Sequence, residues 1–253
     1  MSPLTIASIV FVCVFGAGVC GLLLRSLLPE HHLSENSMGI VNLGAGLIAT
    51  LAALVLGLLI ASAKNSFDRI GDQVTQTAAK VVMLDRTLAL YGPETKEARD
   101  LLRSAVASAV ELTFSEHGSQ VAELDAPEKL TRIEQFQDKL WALSPRTDAQ
   151  RALQSHAVEL SNEVAQMRWL VIAQGEGSMP TPFLVVLVLW LVILFAGFGL
   201  VTAKNSTVVA VLFLCALSVS GSMFLIEEMN RPLQGLMKIS GAPMRNALSH
   251  LGQ

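Results

Sequence analysis

Long apolar runs without a single charge alternate with charge-rich segments along this chain. Asp, Glu, Lys and Arg are absent from residues 1–24, 36–63, 177–203 and 205–226. A charged side chain costs roughly 2.5 to 3.5 kcal/mol at the centre of a membrane helix, so such runs tolerate hydrocarbon. A helix needs about 20 apolar residues to cross a bilayer core, and each run reaches that length. The pattern predicts four transmembrane helices, near residues 4–27, 39–63, 182–203 and 206–226.

The segment between the second and third runs, residues 64–176, shows apolar positions that recur at helical spacing. One stripe advances by alternating steps of four and three residues through Ile70, Val74, Thr77, Val81, Leu84, Leu88 and Tyr91. This heptad spacing is typical of one buried face on a helix that packs against other helices. The stripe predicts a helix that stops at Gly92-Pro93, because proline cannot continue a helix.

Three further helices are predicted in the same segment. Their apolar faces include Leu102, Val106 and Val110, then Ile133, Phe136 and Leu140, then Ala157, Leu160 and Val164. Capping boxes mark the starts of the last two, at Asp125 to Glu128 and at Thr147 with Gln150. Four helices in this order indicate an antiparallel bundle.

Together these patterns predict an all-α membrane protein with four transmembrane helices and a cytoplasmic antiparallel helical bundle inserted between the second and third. We expect a transmembrane hairpin at 1–63, the bundle at 64–178, a second hairpin at 179–227 and an amphipathic tail at 228–253. The tail is predicted from Leu233, Leu236, Met237 and Ile239 around Lys238, lying at the membrane interface or against the bundle. The first run lacks the basic start of a cleaved signal peptide, so we expect it to be retained.

Basic residues predict the orientation, because Lys and Arg collect on the cytoplasmic side of a membrane. With four spans, both termini and the bundle share one side. Near the membrane that side carries Lys64, Arg69, Lys80, Arg168, Arg231, Lys238 and Arg245. The opposite side carries only Arg25 and Lys204. We therefore expect the termini and the bundle to be cytoplasmic.

Composition agrees with a membrane protein and argues against several other classes. Hydrophobic residues make up 52% of the chain and charged residues 15%, against about 25% charged in soluble domains. Acidic residues outnumber basic ones in the insert, so no nucleic-acid surface is expected. The three cysteines fall inside spans, and His31 and His32 are adjacent, so no metal site is predicted. We find no catalytic or phosphate-binding motif, and neither an enzymatic activity nor a cofactor is expected.

The second span carries small residues every fourth position, which we call the small-residue ladder: Ala45, Ala49, Ala53, Gly57 and Ala61. Small side chains let two helix backbones approach closely in lipid. Ordinary packing within one chain is one interpretation of the ladder. The other is that this helix packs tightly against copies of itself.

A second row of the same helix, which we call the polar strip, comprises Asn42, Gly46, Thr50 and Lys64. Polar residues inside a span usually face a bundle interior or a water-filled cavity, so the strip is a candidate pore lining. In a ring of copies Lys64 would concentrate positive charge at a pore mouth, and charged rings select ions of opposite sign. As a membrane anchor, Lys64 would instead follow the positive-inside rule. Glu227 and Glu228 are expected at the solvated end of the last span.

The chain carries the segments RWL at 168–170, FAGFGL at 195–200, FLI at 224–226 and RPLQGL at 231–236, and further segments at 56–68 and 88–102. Together these segments resemble the bacterial family of bestrophin-like membrane proteins. The resemblance implies a homopentameric anion channel, passing ions such as chloride, in the bacterial inner membrane. Bestrophins gate through aromatic residues on their second membrane helix, whereas this chain has none between Phe15 and Phe67. Asn230 stands where relatives usually show Asp, and no acidic cluster resembles their calcium clasp.

Two functions follow as hypotheses. The first is an oligomeric ion channel that passes anions along the second transmembrane helix. The second is a non-conducting membrane scaffold whose cytoplasmic bundle recruits a partner. Membrane lipid and further copies of the chain are the expected partners of the first, together with a permeant ion.

Overall fold

The protein is described from a computed structural model. It describes residues 2–27, 35–114, 127–175, 181–202, 204–233 and 235–253. Within these ranges the chain is helical and contains no strand. The helices are α1 (Pro3–Leu27), α2 (Glu35–Tyr91), α3 (Lys96–Phe114), α4 (Pro127–Trp141), α5 (Asp148–Gly175), α6 (Thr181–Val201), α7 (Ser206–Met229) and α8 (Ala242–His250).

The chain divides into two compact units. The first unit comprises Met1–Ser66 with Ser178–Asn230, and the second comprises Phe67–Gly177 with Arg231–Gln253. Helix α2 contributes its first part to one unit and its second part to the other. The four predicted parts of the chain, and the cytoplasmic placement of the bundle, stay predictions.

The first unit contains the membrane-length helices. In the described part of the chain four helices are long and apolar enough to cross a bilayer: α1, α2, α6 and α7. This confirms the four predicted spans, whose ends differ from the prediction by a few residues. Helix α2 is the exception, because it continues as one helix to Tyr91.

Helix α1 packs against both α6 and α7. Its contact with α6 is close because Gly21 and Gly199 face each other, with the Cβ position of Gly21 only 3.1 Å from the Cα of Gly199. One turn further along α1, the Arg25 guanidinium donates hydrogen bonds to the backbone carbonyl of Leu200, at 3.2 Å, and to that of Val201. The guanidinium thus satisfies carbonyls that have no partner within the last turn of α6.

The second unit is a helical bundle with one hydrophobic core. The predicted heptad stripe of α2 is confirmed, since its apolar members from Ile70 to Tyr91 are all buried. The core cluster also takes residues from the other helices of the unit: Leu102 and Val106 of α3, Phe136 and Leu140 of α4, Ala157 and Leu160 of α5, and Met244 and Ala247 of α8. An ion pair of 3.2 Å between Lys80 and Glu163 links α2 to α5.

Helix ends in the bundle follow the predicted signals. Helix α2 ends at Tyr91, and Gly92 has a φ of 140°, a value that L residues rarely adopt. At the start of α5 the Thr147 hydroxyl accepts a hydrogen bond of 3.1 Å from the backbone N–H of Gln150, as the capping box predicts. In a complete capping box the Gln150 side chain would accept from the backbone N–H of Thr147. Here it accepts instead from the backbone N–H of Arg146 at 2.9 Å.

The amphipathic tail expected at 228–253 stays a prediction. Among its described residues, Leu233 is buried, Leu236 is 82% exposed and Ile239 packs against the bundle core. The tail also contains α8, which buries Met244 and Ala247 in the same core, followed by Leu251.

Candidate functional site

The membrane part of α2 is far less covered by the chain than the other spans. In the most apolar 18-residue stretch of α2 only 6% of the residues are buried, against 28% in the corresponding stretches of α1, α6 and α7. Its exposed residues include large apolar side chains: Ile40, Leu43, Leu47, Leu51, Leu54 and Leu58. Lipid or further copies of the chain must therefore cover most of this helix in a membrane.

One side of α2 is covered within the single chain. Ala52 and Ala63 are buried, and Ala45 and Ala49 are half-buried. Successive residues of an α-helix turn by about 100°, which places Ala52 and Ala63 about 20° apart on the same face. Ala52 and Ala63 thus mark one face of α2 that the chain itself covers.

The polar strip lies beside the covered face and is exposed at all four positions. At about 100° per residue its members fall within an arc of about 80°, so they share one surface of the helix. The Thr50 hydroxyl donates to the Gly46 carbonyl at 2.9 Å, which satisfies that donor inside the helix. The Asn42 amide and the Lys64 ammonium supply the other hydrogen-bond donors of the strip.

The small-residue ladder winds from the covered face onto the exposed surface. Each step of four residues rotates the position by about 40°, because the helix repeats every 3.6 residues. Ala53, Gly57 and Ala61 are consequently exposed, and a Cβ added at Gly57 meets no atom within 4 Å. These three small residues do not serve packing within the chain, and their role between chains stays a prediction.

The close glycine crossing between α1 and α6 was missed by sequence reasoning. A Cβ at Gly199 would collide with the carbonyl oxygen of Gly18 and lie 2.7 Å from the amide nitrogen of Leu22. The glycines of FAGFGL and those near the end of α1 were available as a signal, since small residues permit close helix contacts. Nothing in either segment alone identifies the other as its partner.

The acidic end of α7 corrects another expectation. Glu227 and Glu228, predicted to be solvated, are only 7% and 4% exposed. In the sequence the first charges after an apolar run predict the water boundary, but the folded chain covers both residues. Buried carboxylates require hydrogen-bonding or charged partners.

No metal centre is found in the described part of the chain, where no three His, Cys, Asp or Glu residues are grouped for coordination. His156 is exposed and lies 3.5 Å from Glu159. His31, His32 and the predicted cap at Asp125 lie outside the described residues.

The helical architecture of the described residues and their four helices of membrane-spanning length and composition define a helical membrane protein. A family model described as the Bestrophin-like domain matches residues 11–244. The chain belongs to the Bestrophin-like family, which confirms the resemblance in its sequence. No similar sequence was found among curated proteins.

Crystal structures of a bacterial bestrophin homolog from Klebsiella pneumoniae share this fold. A tryptophan-to-alanine variant of that homolog aligns with a TM-score of 0.69 at 13% identity, covering 100% of this chain and 99% of the homolog. A tyrosine-to-alanine variant aligns with a TM-score of 0.67 at 13% identity, covering 96% and 99%. At this identity the likeness concerns the fold alone.

Proposed function

We propose that the protein is an oligomeric ion channel that conducts anions, with α2 lining the pore. The observation that carries this proposal is the uncovered membrane part of α2, whose exposed surface includes the polar strip. A helix that faced lipid all round would need no such strip. Polar groups inside a membrane typically line a bundle interior or a water-filled cavity.

Assembly into a ring gives the exposed surfaces of α2 their partners. The exposed ladder residues Ala53, Gly57 and Ala61 lie on the same surface of α2 as the polar strip. Their small side chains would let the α2 helices of neighbouring chains approach closely around the pore axis, because small residues permit close backbone contacts in lipid. The side of α2 that carries the exposed residues Leu43, Leu47, Leu51, Leu54 and Leu58 can face lipid or a neighbouring chain. The family resemblance implies five copies around the pore.

Charge at the mouth of the pore would determine which ions enter. The basic residues near the membrane ends favour a cytoplasmic location for Lys64, which accessibility to a membrane-impermeant reagent would test. A ring of Lys64 ammonium groups would attract anions and repel cations. The preference would weaken at high salt, because exposed charges are screened within about 8 Å at physiological ionic strength.

Lys64→Glu should shift the reversal potential of the purified protein in a bilayer towards the equilibrium potential of the cation. The measurement is made under a salt gradient, wild type against variant. Lys139→Glu is the matched control, because it makes the same change of charge at an exposed residue of the second unit. In the wild-type protein Lys139 forms an ion pair of 2.8 Å with Glu97. We expect the control to conduct as wild type does.

The outcomes separate the two functions proposed from the sequence. A conducting protein whose reversal potential does not respond to Lys64→Glu would remove Lys64 from the pore mouth. Absence of current from wild-type protein, together with a monomeric or dimeric state, would favour the scaffold.

Replacing Gly57 by Leu should reduce assembly, because the larger side chain would separate backbones that glycine lets approach. Ala53→Leu should act in the same way. Oligomer size in nanodiscs is the measurement. Gly44→Leu is the control, because Gly44 is also exposed with open space around it but lies about 140° from Gly57 around the helix. Unchanged assembly of both ladder variants would show that the ladder does not pack against a neighbouring chain.

A further inference from the structure

Two basic side chains that are far apart in the sequence are brought together at one end of the first unit. Arg25 lies in the last turn of α1, and Lys204 lies two residues before the start of α7. The Lys204 ammonium donates to the Ser26 hydroxyl at 3.2 Å, and the Arg25 guanidinium donates to the carbonyls of Leu200 and Val201 at the end of α6. We call Arg25, Ser26 and Lys204 the basic corner, since α1, α6 and α7 all begin or end there.

Both cations of the basic corner have only neutral partners in the part of the chain that the structure describes. These partners are two backbone carbonyls for Arg25 and one hydroxyl for Lys204. On the orientation predicted from the sequence, they are also the only Lys or Arg residues opposite the bundle. Like charges held in one place repel each other, and an anion bound between them would be attracted by both.

The donors of the basic corner favour a phosphate group as that anion. A guanidinium carries five N–H groups and an ammonium three, and the contacts of Arg25 and Lys204 use only part of them. Phosphate oxygens accept several charge-assisted hydrogen bonds at once, and both Arg and Lys bind phosphate in proteins. Lys204 is exposed, so a ligand can reach its ammonium group.

The position of the basic corner indicates where the phosphate comes from. Helices α1, α6 and α7 are each long and apolar enough to cross a bilayer, and lipid headgroups lie at the ends of such helices. Large apolar side chains close to the corner in sequence are exposed, among them Leu24 of α1 and Val209 of α7. Basic pockets between membrane helices bind anionic headgroups.

We propose that the basic corner binds the phosphate of an anionic phospholipid, whose acyl chains lie along the exposed apolar side chains of α1 and α7. Arg25 and Lys204 hold the phosphate oxygens, and Ser26 positions the Lys204 ammonium. This site is separate from conduction, and its test does not depend on the proposed channel.

Native mass spectrometry of the full-length protein, delipidated in detergent, tests the proposal with two lipids that have the same acyl chains. Dioleoylphosphatidylglycerol has a negative headgroup, whereas the headgroup of dioleoylphosphatidylcholine is neutral overall. We expect the wild-type protein to bind phosphatidylglycerol more tightly. Lys204→Gln should weaken this binding about fivefold, the effect of one basic residue near an anionic membrane surface. Binding of phosphatidylcholine should change by less than about twofold.

Two matched variants separate a local effect from a general effect of charge. Lys204→Arg keeps the positive charge and should bind phosphatidylglycerol as wild type does. Lys96→Gln removes one positive charge from an exposed residue of the second unit and should also bind as wild type does. Wild-type affinity of Lys204→Gln for phosphatidylglycerol, an equal loss in either matched variant, or no preference of the wild-type protein for phosphatidylglycerol would each overturn the proposal.

Inorganic phosphate distinguishes a lipid from a free anion. It offers the same oxygens without acyl chains, so at equal concentration it should leave phosphatidylglycerol bound to the wild-type protein. Displacement of phosphatidylglycerol under this condition would assign the basic corner to free phosphate and overturn the proposal of a lipid.

Discussion

Asp85→Ala is expected to lower the free energy of unfolding of the helical bundle by about 3 to 5 kcal/mol, the range for breaking a buried ion pair. Asp85 is 1% exposed and accepts two hydrogen bonds of 2.8 Å from the Arg99 guanidinium. It also accepts from the Gly252 amide at 3.2 Å, and Arg99 donates to the Gln253 carbonyl at 3.1 Å. Removing Asp85 leaves a largely buried guanidinium without its carboxylate and frees the residues that follow α8.

Arg99 keeps its charge when Asp85 is removed, because a guanidinium is not deprotonated in proteins. In the wild-type protein the hydrogen bonds that Arg99 donates to Asp85 raise the pKa of Arg99 above its ordinary value, against the opposing effect of burial. Arg99 therefore stays charged throughout the physiological pH range in the folded protein.

Thermal unfolding followed by circular dichroism, with limited proteolysis of the bundle, measures the effect. Glu97→Ala is the matched control, because it removes an exposed ion pair of 2.8 Å between Glu97 and Lys139. The Glu97 side chain is 70% exposed and the Lys139 side chain is 45% exposed. An exposed pair contributes about 0 to 1 kcal/mol, so the control should differ little from wild type. Similar losses in the two variants would mean that Asp85 does not stabilise the bundle through its buried pair.

Gly199→Ala is expected to destabilise the first unit by about 1 to 3 kcal/mol, the usual cost of overpacking. The added Cβ would collide with the Gly18 carbonyl oxygen and lie 3.0 Å from the carbonyl carbon of Gly21. These obstacles are backbone atoms, which cannot rotate away as a side chain does. Helices α1 and α6 would therefore have to move apart.

Gly197→Ala provides the control on the same helix, because a Cβ there meets no atom within 4 Å. Alanine is also more favourable than glycine inside a helix, by up to about 1 kcal/mol, so Gly197→Ala should not lose stability. The measurement is the midpoint of thermal unfolding in detergent for both variants. If Gly199→Ala is as stable as Gly197→Ala, the close glycine crossing does not limit the approach of α1 to α6.

The existence of the four spans and most helix ends in the bundle could be predicted from the sequence. A charge inside hydrocarbon costs enough that charge-free runs of about 20 residues identify spans without knowledge of neighbours. The end of α2 at Gly92-Pro93 and the Thr147 cap depend on backbone chemistry a few residues long. The buried heptad stripe of α2 followed from its period, because an apolar stripe on a soluble helix must be covered by something.

Only the tertiary structure decided what covers each surface. Lipid is as apolar as a neighbouring helix, so hydropathy could not show that α1 pairs with α6 or which face of α2 stays exposed. The burial of Glu227 and the docking of α8 depend on residues distant in sequence. The sequence alone thus determined which segments form helices and which cross the membrane, because those choices are local. Partners and buried charges arise from contacts between distant segments, which only the folded chain specifies.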